Sequence, residues 1–292
     1  MDAEGISMEE FKSAFEKGNM FASGIAVDYG SSLIVAKSGN VEDQGDGTDV
    51  SVSSKFRIES MQSLAPGIKI GMRMPSTKVL NQSDARPWHF QELLPSNGRW
   101  RVVVFTGDIS QPEQKSKMET VGKAFNDEAS FLRRFTPADA RYDTVFEVLA
   151  VHSAPRTSAT IFDFPEVFRP YDDVDGFDYM KIYVDDVSYH EGHGKIYETF
   201  NIDPKGCIVI IRPDQYVSYV GPTDDTEAIN CFFSGFMRVS AQKTEIVNGP
   251  PGGATSNGLD DAPSHQPGSG AAALDGIAPN EMAAQNGDVL PA

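Results

Sequence analysis

One stretch limits what this chain can fold into more than any other: residues 206–238, GCIVIIRPDQYVSYVGPTDDTEAINCFFSGFMR. Ile208 to Ile211 form a continuous apolar run of the kind that fills a buried strand, and Pro213-Asp214 supplies a turn because the proline ring fixes φ. A second β-rich run covers Tyr216 to Val220. Asp224 then stands as an N-cap with Glu227 at N3, ahead of Ile229, Phe232, Phe233 and Phe236 at the helical spacing i, i+3, i+4 and i+7. Such a helix packs an aromatic face onto the hairpin. A hairpin closed by a helix is the second half of a fold whose first half is a βαβ unit, so the upstream chain has to supply one.

It does. Arg101 to Phe105 reads as a buried strand, and Pro112 opens a helix predicted to reach about Arg134, with Met118, Val121, Phe125 and Leu132 on one face and Pro137 as its stop. Asp143 to Val151, DTVFEVLAV, is a second apolar strand, and a crossover of this length implies parallel pairing. Residues 157–178, TSATIFDFPEVFRPYDDVDGFD, form a connection punctuated by Pro and Asp and pinned to the core by Phe162, Phe164 and Phe168. Met180 to Val184 is a third strand with period-two apolar residues. A polar loop over 185–194 and a short helix over 195–200 lead into the terminal hairpin. The order β-α-β, long connection, β-α-β-β-α fits an α/β, thioredoxin-like fold with a mixed central sheet flanked by helices.

The flanking segments differ in kind. Ser7-Met-Glu-Glu10 is a capping box, and Met8, Phe11, Ala14 and Phe15 follow helical spacing as far as Gly18. This amphipathic helix has little sequence before it to pack against, which suits docking or the tail end of an upstream domain. Residues 24–36 read as two short extended pieces around Gly30. Pro66, Gly67, Gly71 and Pro75 make an irregular lead-in, and Phe90 to Leu94 a helical turn ended by Pro95. Residues 38–57 are acidic, Gly-rich and too poor in apolar side chains to offset their ordering entropy, so a disordered loop is expected there. The same holds for residues 241–292, in which Lys243 is the only Lys or Arg. The expected organisation is a helix and extended lead-in over 1–37, the acidic loop over 38–57, a thioredoxin-like domain over 58–240 and the tail over 241–292.

Charge narrows the partners. With 25 Lys and Arg against 42 Asp and Glu, the formal net charge of -17 repels a phosphate backbone, so nucleic acid is not expected. No run approaches the roughly 18 to 20 apolar residues that span a bilayer, and the N-terminus lacks a basic region followed by an apolar one. A cytoplasmic protein with no membrane partner is the expectation.

Candidate chemistry is sparse. Cys207 and Cys231, the only cysteines, have neither CxxC nor zinc-site spacing and read as buried thiols in a strand and a helix; a disulfide between them requires Cα atoms within about 7 Å. A thioredoxin or peroxiredoxin needs a thiolate just after the first core strand, at a helix N-terminus. Here that position reads Thr106-Gly-Asp-Ile-Ser110 and offers no sulfur. His190-Glu-Gly-His193, with Asp185 and Asp186 nearby, invites a metal assignment, but the glycine-flanked loop does not preorganise the imidazoles and a solvated polar loop is expected. Asp84, Arg86 and His89 read as pairing and capping groups of an irregular loop. Arg212 and Asp214 flank the hairpin turn, where an arginine fixing the loop through carbonyl oxygens is expected. Neither a nucleophile elbow nor a P-loop is visible.

Four segments, in this order and spacing, carry a family resemblance: FEKGNMFASG at 15–24, GMRMPS at 71–76, DARPWHFQELLPSNGRWRVVVFTGD at 84–108 and IRPDQYVSYVG at 211–221. Over about residues 6–239 the chain resembles the C-terminal, thioredoxin-like dimerisation region of FAD-dependent aromatic hydroxylases of the phenol 2-monooxygenase type, in its fungal form. The resemblance implies a part in subunit contacts, self-association or docking to a flavin domain. The motif positions it carries over are Arg73 and Pro75; Asp84, Arg86 and Pro87; Gly107 and Asp108; and Arg212, Pro213, Asp214 and Tyr216, all in structural roles. It assigns no catalytic, cofactor-binding or metal residue, because the family holds FAD and NADPH in other domains, through a GxGxxG turn, a DG segment and a distal GD segment. Gly107-Asp108 follows a strand but lacks the rest of the GD pattern. The expected function is a non-catalytic interaction module. The alternatives are a fragment of a complete FAD/NADPH-dependent phenol hydroxylase, an oxidoreductase; a divergent thiol enzyme using Cys207; and a small-ligand binder with a pocket under residues 157–178.

Overall fold

A computed structural model of the chain describes residues 7–37 and 58–239. The acidic loop and the tail expected from composition lie outside the described residues.

The sheet is built around β3 (Trp100–Gly107), whose eight residues are all buried. Buried strands of this kind read as continuous apolar runs because both faces are covered. Helix α2 (Pro112–Asn126) crosses back from β3 to β4 (Phe146–His152), which pairs with it in parallel, Val103 opposite Leu149. On the other side of β3 lies β10 (Cys207–Ile211), antiparallel, with Val209 opposite Val103. β11 (Val217–Gly221) pairs antiparallel with β10, and helix α5 (Thr226–Ser234) is the last helix among the described residues. β3-α2-β4 followed by β10-β11-α5, in the spatial order β11-β10-β3-β4, is the thioredoxin arrangement.

Three further strands extend the sheet beyond β4. β7 (Ile182–Val184) pairs in parallel with β4, and β1 (Lys78–Asn81) and β2 (Pro87–His89) add a hairpin at its far edge. The whole sheet runs β11-β10-β3-β4-β7-β1-β2. Two small hairpins decorate the connections: β5 (Tyr171–Asp172) with β6 (Gly176–Phe177), and β8 (Val187–Ser188) with β9 (Gly192–His193). Helix α4 (Ile196–Thr199) precedes β10.

Alternation along β3 assigns the two layers. Trp100, Val102 and Val104 face a core shared with α2, α5 and helix α3 (Phe131–Phe135), where Phe131, Phe146 and Phe233 meet. Val103 and Phe105 face a second core with Phe90, Leu93, Tyr183, Ile196 and Phe200.

Several expectations are corrected. The helix expected to reach Arg134 breaks after Asn126, because the Asp127 carboxylate accepts a hydrogen bond from the Ala129 N–H (2.8 Å) and Ser130 starts α3 as a new cap. Phe131 and Phe135 are therefore buried in the core, and Leu132 packs against it partly buried. The last helix is capped by Asp225, not Asp224; its carboxylate accepts from the Ala228 N–H at 3.0 Å. Residues 24–36 hold a single isolated bridge, Ser32 to Val35, in place of two extended pieces. In the long connection Phe164 and Phe168 are buried as expected, while Phe162 is 63% exposed. Both cysteines are free: Cys207 lies in the second core, and Cys231 rides on α5, whose Ile229, Phe232 and Phe233 pack into the first.

Helix α1 (Met8–Ala22) is longer than the pattern to Gly18 indicates, and its capping box forms as written. The Ser7 hydroxyl accepts from the Glu10 N–H (3.2 Å), and the Glu10 carboxylate accepts from the Ser7 N–H (2.9 Å). None of its fifteen residues is buried.

Candidate functional site

The end of β3 is where a thioredoxin fold does chemistry, and here it is filled by structural groups. Gly107 sits at φ +70, where a Cβ would overlap the Pro204 carbonyl oxygen, so glycine is required. Its N–H donates to the Tyr197 hydroxyl (2.9 Å), which donates to the Val151 carbonyl (2.8 Å). Asp108 follows Gly107 in the turn between β3 and α2. Its carboxylate accepts from the Ser110 N–H (3.0 Å) and hydroxyl (2.6 Å), and these hydrogen bonds, the hydroxyl's above all, hold it below the usual carboxylate range. Cys207 is fully buried on β10, and burial pushes its thiol well up, the opposite of an activated thiolate.

The same turn fails as a flavin site. A dinucleotide pyrophosphate takes the free N–H groups of a helix N-terminus. At α2 the first helical residue is Pro112, which has no N–H, and the ionised Asp108 stands in front of it. The residues of this turn do not fit the pyrophosphate of FAD.

Beside this turn, His152 ends β4 fully buried, with Nε2 2.9 Å from the Gln82 amide oxygen. Burial lowers its pKa to about 4. At the opposite end of β3 and β4, Arg101 is buried against Glu147 (3.0 Å), and Lys181 bonds Glu147 and lies 3.2 Å from Asp178. Asp143 is held by Arg99 at 2.7 Å. The apolar reading of the Arg101 strand gave no sign of this network.

The family-motif positions separate into three places. Asp84, Arg86 and Pro87 build the β1–β2 hairpin: the Asp84 carboxylate accepts from the Arg86 N–H (2.9 Å), and the Arg86 guanidinium stacks on Trp88 at 4.4 Å. His89 caps the turn over Phe90–Leu93, its N–H donating to Glu92 (3.1 Å). Gly107 and Asp108 form the turn just described. The remaining positions converge around the β10–β11 turn.

There Arg212 pairs with Asp214 at 2.6 Å and lies over the rings of Tyr29 (4.7 Å) and Tyr216 (5.6 Å). This corrects the expectation of an arginine bonded to carbonyls; ring faces and a carboxylate hold it. Tyr29 and Tyr216 meet edge to face at 4.8 Å, and the Tyr216 hydroxyl donates to the Gly24 carbonyl (3.2 Å). Pro213 and Asp214 make the turn, and Gln215 completes it at φ +73. The Gln215 side chain accepts from Arg73 Nε (2.9 Å) and donates to the Leu94 carbonyl (2.6 Å). Pro75 continues the Arg73 segment toward β1. Gly71, at φ +89, brings its carbonyl to the Tyr29 N–H (2.8 Å). Tyr29, Gln215 and Gly24 were missed because nothing in their spacing links positions so far apart in the chain. The cluster fastens residues 24–29 to the sheet, and those residues carry α1.

The histidine loop is also structural. Asp185 bonds His193 (3.0 Å) and accepts from the Ile196 and Tyr197 N–H groups, capping α4, while Glu191 pairs with Lys78 (2.8 Å). Among the described residues no group of three or more His, Cys, Asp or Glu side chains could hold a metal ion. A cleft of about 570 Å³ does lie beside the long connection, lined by Phe125, Leu132, Thr136, Tyr142, Asp143, Val167 and Lys181. Two of its charged groups, Asp143 and Lys181, lie 3.8 Å apart, and Asp143 is also paired with Arg99. No helix among the described residues is long and apolar enough to cross a membrane.

Comparison with known proteins follows this geometry. Residues 27–241 match the family described as phenol hydroxylase, C-terminal dimerisation domain. The chain is 33% identical over 241 residues to the FAD-dependent monooxygenase terD of Aspergillus terreus, covering 82% of this chain and 36% of that protein. It is 32% identical over 233 residues to the phenol 2-monooxygenase fsqG of Aspergillus fumigatus, covering 80% and 35%. The chain thus spans about a third of the length of the curated relatives it matches. Among solved structures, the thioredoxin domain of a Bacteroides vulgatus thiol-disulfide oxidoreductase aligns at a TM-score of 0.31 and 12% identity, over 54% of this chain and 93% of that domain. The fold assignment stands on strand order and register.

Proposed function

The chain belongs to the phenol hydroxylase C-terminal dimerisation family, and from that premise we propose that it is a self-associating module with no flavin or thiol chemistry of its own. The observation that carries this is the β3–α2 turn, the one place where this fold offers a reactive group. Asp108 and Pro112 fill it with a carboxylate and an imino acid, which suits neither a thiolate nor a pyrophosphate. The motif positions Arg73, Arg212, Asp214 and Tyr216 are spent on internal contacts, which supports a structural role for them. In this reading FAD and NADPH belong to the parts of the longer relatives that this chain does not span. Two free cysteines suit a reducing, cytoplasmic setting. The net charge of -17 disfavours nucleic acid.

Light scattering of the purified chain, with its absorbance spectrum, tests the proposal. The expected mass is twice the 31.8 kDa of the chain, without a flavin band. Stoichiometric FAD binding, or hydroxylation of a phenol with NADPH, would overturn it. A second reading, favoured by the length ratio to the relatives, is that the module serves as part of a complete FAD-dependent phenol hydroxylase. An in-frame GxGxxG upstream of Met1 in the genomic sequence would establish that reading.

A further inference from the structure

Helix α1 buries nothing, yet its sequence is built to bury a face. Met8, Phe11, Phe15 and Ala22 follow one another at i, i+3, i+7 and i+14 and so share one side of the helix. Phe11 and Phe15 are 60% and 61% exposed and stack on each other at 6.3 Å, and Met8 and Phe21 are each 81% exposed. Apolar side chains continue past the helix through Ile25 and Val27, also exposed. Exposed apolar side chains gathered on one face of a helix, as Met8, Phe11 and Phe15 are, mark an interaction surface.

Two features identify what covers it. The first is placement. The segment matched by the dimerisation family begins at residue 27, after α1 has ended at Ala22. The family is described as a C-terminal domain, so in sequence order α1 stands at the end of the match nearer the unmatched two-thirds of the fungal relatives. The second is the Arg212–Tyr29–Tyr216 cluster, which fixes residues 24–29 to the sheet and holds α1 away from both cores. A loose helix would need no such fastening.

We infer that α1 is the docking helix for the flavin-bearing portion of an FAD-dependent aromatic hydroxylase, laying its Met8–Phe11–Phe15–Ala22 face into an apolar groove of that protein. This is helix-in-groove recognition, with anchors at i, i+3 and i+7. It rests on the reading of the chain as an accessory module of that family. It goes beyond that reading in separating two surfaces: the thioredoxin-like domain for self-association, and α1 for the flavin protein.

The test mixes the full chain with the FAD-loaded portion of the Aspergillus terreus relative that lies outside the match, used only as preparations that retain flavin through gel filtration. The expected result is a complex that carries the flavin band and protects α1 amides from hydrogen exchange. Phe11→Ser/Phe15→Ser should weaken the complex at least about tenfold, as loss of two central aromatic anchors does. The variant's own unfolding midpoint and oligomeric mass should stay unchanged. If wild type and variant bind equally, or wild type does not bind, the inference fails. If the variant instead drops from dimer to monomer, α1 pairs with a second copy and the inference fails in that direction. A wild-type chain that is monomeric yet docks through α1 would retire the self-association reading alone. A chimera of the relative carrying this chain in place of its matched segment gives a second measurement: α1 left unprotected in the FAD-loaded chimera contradicts the inference.

Discussion

Helices α1 and α5 begin from the same kind of sequence and reach opposite ends. Each has a polar N-cap, an acidic first turn and aromatic residues at helical spacing. In α5, Ile229, Phe232 and Phe233 are buried, and Phe233 meets Trp100, Phe131 and Phe146 at ring separations of 5.5, 4.9 and 4.8 Å. In α1, Phe11 and Phe15 stack on each other, and neither belongs to either core among the described residues. The difference lies in what precedes and follows each helix. A short turn from β11 delivers α5 straight onto the sheet, whereas the tyrosine–arginine cluster holds the end of α1 off it. Amphipathicity therefore states that a face must be covered, and the connections decide whether the chain itself covers it.

That contrast can be broken in graded steps. The largest effect belongs to Phe233→Ala, which removes a fully buried ring from the aromatic core; urea unfolding should show a loss of about 3–5 kcal/mol. Acidification comes next. His152 is held neutral by burial, with its pKa lowered to about 4 from an ordinary value near 6.5. Above pH 6.5 neither state is charged. As the pH falls toward 4 the unfolded chain takes up a proton that the folded chain refuses, so stability falls by at most about 3 kcal/mol. Unfolding free energies of wild type and His152→Gln at pH 7.5 and 4.5 should converge as the pH drops, since the variant lacks this loss.

Smaller still is Arg212→Ala, which removes two ring contacts and one half-exposed ion pair. A cost of about 1 kcal/mol is expected. Its clearer signature is faster hydrogen exchange over residues 24–29, with β3 unchanged. Smallest is Phe11→Ser/Phe15→Ser, which should move the unfolding free energy by less than about 0.5 kcal/mol because these rings touch nothing in the core. A large loss in that variant would mean that α1 packs on its own domain after all.

The fold was legible where burial makes long apolar runs. RVVVF, VFEVLAV and CIVII announce β3, β4 and β10, and the period of the phenylalanines announces α5. The β1–β2 hairpin was not, because strands of four and three residues held by an Asp84 turn have no periodicity to read. The break between α2 and α3 hangs on one Asp127 side chain, whose local bond to the Ala129 N–H leaves no mark on the helical spacing of the apolar residues. At the candidate site the motif residues were visible but their purpose was not. Arg212 is joined to Tyr29, and Arg73 to Gln215, over well more than a hundred residues of chain, and no spacing rule reaches that far. Arg101 shows the same limit: a buried guanidinium inside a strand makes sense only once Glu147 is beside it.

Hydrogen exchange on a single sample of the purified chain tests the contrast most directly. The expected result is that α5 amides exchange only through global unfolding, while α1 amides exchange orders of magnitude faster, at rates set by the helix alone. Equal protection of the two helices in the isolated chain, independent of protein concentration, would contradict it.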